Sequence, residues 1–232
     1  MLVVCGVITA ISLGVAGQAA RLAHAESARG PSQAERAAAA MVGVGQRWER
    51  LTLGRVFPAP VGYTSGQRTS ETATRLGISA GDSCDEALDG TLDSAAQRFG
   101  CVAALRASYA DELGGIVVTV GVVVFPDAGA AREFAAQVPS GEYPATGLQA
   151  LDLPGTAAAL FTNAARQASA IQVSGPYVVL AVAGYADGRP ASQAAEQRPP
   201  VFGPVMNSIV STVVAPLAAP EQVRCGDPEW TC

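Results

Sequence analysis

Lysine is absent from this chain of 232 residues, and histidine occurs once, at His24. Those two absences remove the usual means of activating a nucleophile. A Ser–Lys dyad has no lysine, and a Ser–His or Cys–His pair has no imidazole anywhere beyond residue 24. All fifteen basic residues are arginine, outnumbered by twenty acids for a net charge of −5. No basic stripe exists to track a nucleic-acid backbone, so that class of partner is excluded. Phosphate-cradling loops are missing too. There is no G-x-x-x-x-G-K-S/T, and the lone G-x-G at Gly43–Gly45 follows no strand. Aromatic residues make up 6% and apolar residues 49%, so the core must be built mainly from alanine and valine.

Charge is also missing from the first twenty residues, MLVVCGVITAISLGVAGQAA. A span of about 20 apolar residues is enough to cross a bilayer. A cleavable signal peptide normally opens with basic residues, which are lacking here, although AGQAA and LAHA offer small residues for cleavage. Three readings fit: an uncleaved anchor, a signal peptide, or either one with a start that has lost its basic residues. The missing basic region favours the anchor. Cys5 follows LVV, with valine where a bacterial lipidation motif wants a small residue, so it reads as an apolar member of the span.

Beyond the leader stand Cys84, Cys101, Cys225 and Cys232. An even number of cysteines behind an apolar leader points to disulfides in an oxidising compartment. Three pairings are open, and the local one, Cys84–Cys101 with Cys225–Cys232, is expected. Zinc wants C-x2–4-C spacing or histidine ligands, and neither is available. No metal or cofactor is implied.

What is present reads as an α+β fold: one twisted antiparallel sheet of two ββα-like units, flanked by helices, behind the N-terminal transmembrane or signal helix. We divide the chain into a leader (1–22), a stalk and amphipathic helix (23–55), an extracytoplasmic domain (56–218) and a cysteine-containing tail (219–232). A capping box at Ser32 and Glu35 opens a helix whose stripe is Met41, Val44, Trp48 and Leu51. That stripe either docks on the domain or forms a partner seam. FPAPVGYTSGQ reads as turns. DSCDEALDGTLDSAAQRFG reads as one helix from Asp82 or Ser83 to Gly100, weakened by Gly90. Alternation from Cys101 to Tyr109 predicts a half-buried strand, and IVVTVGVVVF a central strand covered on both faces. Pro126 ends that strand. Asp127 caps a helix with Ala131, Phe134 and Val138 inward. ASAIQVSG and PYVVLAVAGYAD form a second hairpin, and VMNSIVSTVVAPL a last helix ending near Pro216.

Gly77-Ile78-Ser79-Ala80-Gly81 spells G-x-S-x-G. A nucleophile elbow needs a base later in the chain, and none follows, so the two glycines are expected to turn the chain ahead of the cysteine-bearing helix. Asp85, Asp89 and Asp93 recur every four residues and suit a solvated acidic face, with a surface for a cation or a basic partner as the functional alternative. Paired carboxylates for hydrolysis normally face each other from separate elements. An EF-hand pattern fails at Ala87 and Ala96. Arg106 and Tyr109 are a typical pair in an exposed binding patch, and equally typical of any sheet.

The order of leader, cysteine-bearing helix, strand pair, F-P-D break, alanine-rich helix, second strand pair and last helix resembles the extracytoplasmic sensor domains of PknH-type bacterial receptor kinases. It is also similar to PsbP-like lipoproteins. The stretch carrying the resemblance is SYADELGGIVVTVGVVVFPDAGAAREFAAQ, Ser108 to Gln137. Such domains usually carry a tryptophan and a cysteine after this helix, whereas VPSGEYPATG has neither, and no kinase domain is present. The resemblance implies a twisted antiparallel sheet and a non-catalytic binding role. Together these readings predict a tethered extracytoplasmic binding domain whose partner is a protein or small-molecule ligand outside the cell. Asp85, Asp89, Asp93, Arg106 and Tyr109 are its candidate contacts. A structural subunit of an envelope complex and a secreted hydrolase are the alternatives.

Overall fold

The structure is a computed structural model that describes residues 18, 32–139, 147–190 and 201–219. The chain divides into two units, Gly43–Pro220 and Met1–Val42 with Glu221–Cys232. In the second unit, helix is described up to Val42. The leader apart from Gln18, together with His24, Cys225 and Cys232, lies outside the described residues. Among the described residues no helix is long and apolar enough to cross a membrane.

The Gly43–Pro220 unit is built on one six-stranded antiparallel sheet. Its strands are β1 (Val61–Thr64), β2 (Ser70–Ile78), β3 (Ala103–Ala110), β4 (Ile116–Val124), β5 (Ala168–Ser174) and β6 (Tyr177–Tyr185), in the order β1-β2-β3-β4-β6-β5. Helices α1 (Gln33–Gly45), α2 (Arg47–Arg50) and α3 (Leu53–Val56) precede the sheet. The first hairpin leads to α4 (Cys84–Ala87) and α5 (Gly90–Arg98), the second to α6 (Ala128–Ala135) and the third to α7 (Gly203–Ala218). The unit is thus a hairpin-and-helix pattern used three times.

Both faces of the sheet are covered, and that explains the long valine runs. On one face Leu105, Tyr109, Val120 and Val179 meet Val205, Ile209, Val213 and Leu217, the four-residue stripe of α7. On the other, Val117, Val123, Leu180 and Val182 meet Leu92 of α5, Phe134 of α6 and Phe161. Each such buried aliphatic side chain contributes about 1.5–3 kcal/mol. Since β3, β4 and β6 are sandwiched, both residue parities must be apolar. β3 is buried along its whole length, where alternation alone predicts half-burial. Ala104 and Ala110 are small enough to pass as surface residues in sequence.

Three other elements differ from the sequence reading. The FPAPVGYTSGQ stretch contains β1, and the segment up to Ile78 contains β2. These outer strands carry threonine and charge in place of a valine run, so periodicity did not separate them from turns. The helix expected over 82–100 is two helices. Leu88 is extended (φ −118, ψ 147) and bridges to Leu148, and the chain re-enters helix at Gly90. The stripe helix likewise breaks at Gln46 between α1 and α2, and Val44, Trp48 and Leu51 pack on the first core. α7 ends at Ala218, close to Pro216 as expected. Elsewhere local signals hold. Asp127 Oδ1 accepts from Gly129 N (2.7 Å) and Ala130 N (2.9 Å), and Gly100 stops α5 at φ +76.

Candidate functional site

Residues 147–153 cross the second face of the sheet as a strap. Two strand glycines make room for it. An added Cβ at Gly121 would overlap Leu148 Cδ1, and one at Gly77 would lie 2.8 Å from Leu153 Cδ1. So Gly77 is a packing site inside β2, not a turn residue. Beneath the strap the sheet carries polar side chains, each matched to strap backbone. Ser108 Oγ donates to Leu151 O (2.7 Å), Leu151 N donates to Thr119 Oγ1 (3.0 Å), and the two hydroxyls lie 2.9 Å apart. Such pairing is what burying polar groups requires.

Two arginines hold the beginning of the same strap. Arg166 donates through Nη1 to Leu148 O (2.9 Å) and to Asp89 Oδ2 (2.8 Å). Asp89 Oδ1 accepts from Gly147 N at 2.9 Å. Arg106 Nη1 reaches Gln149 O at 3.3 Å. Burial pushes the Arg106 guanidinium down from its ordinary pKa, while attraction from Glu86 and Asp152 opposes that shift.

Ser79 lies beside this arginine. Its backbone N–H donates to Arg106 O at 2.9 Å, and the Ile78–Ala107 register puts Ser79 opposite Arg106. The motif does sit at the end of a strand, ahead of a helix, as an elbow would. The contact that places Ser79 is backbone to backbone, however, and the Arg106 side chain donates to Gln149 O. Cys84 and Cys101 then tie α4 to the start of β3 with an S–S distance of 2.02 Å and a Cα separation of 6.5 Å.

The candidate contact residues do not converge. Arg106 and Tyr109 point to opposite faces, and both are buried, at 8% and 0% exposure. They form no exposed patch. Tyr109 donates to Pro58 O (2.8 Å), and its burial raises its pKa. The acidic face is broken at Leu88. Asp89 is held by Arg166, while Asp85 is exposed next to Ser83 and Asp93 binds Gln97 Nε2 at 2.9 Å. Among the described residues, no three His, Cys, Asp or Glu side chains gather as metal ligands.

The sequence reading passed over one surface. β5 is an edge strand, and beside it lies a cleft of about 90 Å³ bordered by Val138, Pro139, Leu148, Ser169, Ile171 and Val182. The β5 register with β6 turns Ser169, Ile171 and Val173 to the same face as Leu180 and Val182. Ile171 and Val173 stay 41% and 37% exposed. In the sequence this hairpin was visible, but its place at the sheet edge depends on strand order. No family model, curated protein or solved structure matches this chain.

Proposed function

We propose that the chain is a non-catalytic binding or sensor-like domain working outside the bacterial cytoplasm. It is held at the membrane by its apolar leader, or released when the leader is cut. The observation that carries this reading is the Cys84–Cys101 bond between α4 and β3. Such links persist in oxidising compartments and are rare in the cytosol. The resemblance to extracytoplasmic sensor domains points the same way. A chain with no lysine, and no histidine beyond His24, lacks the usual activators of a serine, which favours binding over chemistry. The ligand is a protein or small molecule met outside the cell, and Asp85 is the candidate contact left exposed to it.

Alkylation of the native protein without reductant, followed by mass spectrometry of each cell fraction, tests the placement. Cys84 and Cys101 should resist alkylation until reduced, and the protein should leave the cytosolic fraction. A cytosolic protein with both thiols free defeats the proposal. Incubation with glycan and ester panels tests the rest: turnover that disappears in Asp85→Ala or Asp93→Ala would make it a hydrolase.

A further inference from the structure

An edge strand presents a row of backbone N–H and C=O groups, and proteins normally blunt it with charge, proline, a bulge or short length. The β1 edge has such devices: it is four residues long and follows Pro58 and Pro60. β5 has none. It is seven residues, ASAIQVS, with no charge, proline or glycine, and its register with β6 is unbroken. Among the described residues it pairs with β6 alone.

We propose that β5 pairs antiparallel with β5 of a second copy of this chain, joining two six-stranded sheets into one. The strand is complementary to itself. A twofold axis at Ile171, its central residue, sets Ile171 against its counterpart, Ser169 against Val173, Ala170 against Gln172 and Ala168 against Ser174. No pair opposes like charges, and the central pair joins two β-branched side chains that are now partly exposed. Each strand gives the other a neutral partner of matching length, so the pairing uses every position of the edge. The contact is isologous and closes at two copies, forming a dimer and not a fibre. Ser169, Ile171 and Val173 border or adjoin the apolar cleft, which the second copy extends across the axis.

Cysteine substitution in the full chain, left in the producing cells, tests partner and register together. Directly opposed Cβ atoms in an antiparallel pair lie about 4.5–5.5 Å apart, close to disulfide reach. Ile171→Cys should therefore give a disulfide-linked dimer on mild oxidation, above the wild-type background. Ser169→Cys faces valine and should link about tenfold less, while Ser169→Cys with Val173→Cys should restore the link. Ile171→Lys sets like charges opposite and should turn the purified dimer into a monomer in sedimentation velocity. If that variant fails to fold, the cysteine series still decides. Equal linking at positions 169 and 171, linkage of Ile171→Cys to a different protein, or a wild-type monomer overturns the proposal.

Discussion

Gly121 and Leu148 offer a quantitative test of the strap. Leu148 is 1% exposed and occupies the space a side chain at Gly121 would need. Leu148→Ala removes that filling and should cost about 2–5 kcal/mol, depending on how far the site collapses. Gly121→Ala alone forces a methyl against Leu148, an overpacking cost of about 1–3 kcal/mol. Restricting the unfolded chain returns about 0.4–1 kcal/mol of that. In the double variant the new methyl enters space that Leu148 has vacated. The double loss should therefore fall short of the sum by about 1–2 kcal/mol, within the range for residues in contact. Urea unfolding of the four proteins, followed by circular dichroism at constant m, measures this directly. Additivity to within about 0.5 kcal/mol would show that the two residues do not share one space, and the strap's position would be wrong.

Asp89 and Asp127 test the two kinds of carboxylate contact. Asp89→Ala strands the buried Arg166 and should cost about 3 kcal/mol, at the low end for a broken buried pair because the Asp89 side chain is 20% exposed. Adding Arg166→Met should recover part of that loss in thermal melts. Asp127 caps α6, and the N–H groups of Ala130 and Gly129 hold its pKa below the ordinary carboxylate value. A depressed native pKa means stability that is complete above the unfolded value, about 3.9, and lost as pH falls through the native one. Asp127→Ala should thus be less stable than wild type at pH 7, with the gap closing below about pH 4. A gap independent of pH in melts from pH 2 to 7 would rule out the charged cap.

The sequence by itself determined the elements whose cause is local. Asp127 capping, the stop at Gly100, the third hairpin and the valine-rich central strand all follow from a side chain's effect on nearby backbone or from an unbroken apolar run. The α+β class and the 84–101 pairing were legible for the same reason: spacing and redox chemistry constrain both. Tertiary structure decided the rest. Leu88 leaves the helix because its backbone bridges to Leu148, sixty residues on. Gly77 and Gly121 are small because Leu153 and Leu148 cross above them. Arg106, Tyr109 and Asp89 looked like surface contacts, since a strap and a second layer supplied from distant segments are what bury them. The open β5 edge is decided the same way. ASAIQVS reads alike in the middle of a sheet or at its margin, and only the strand order leaves one side of it without a strand neighbour among the described residues.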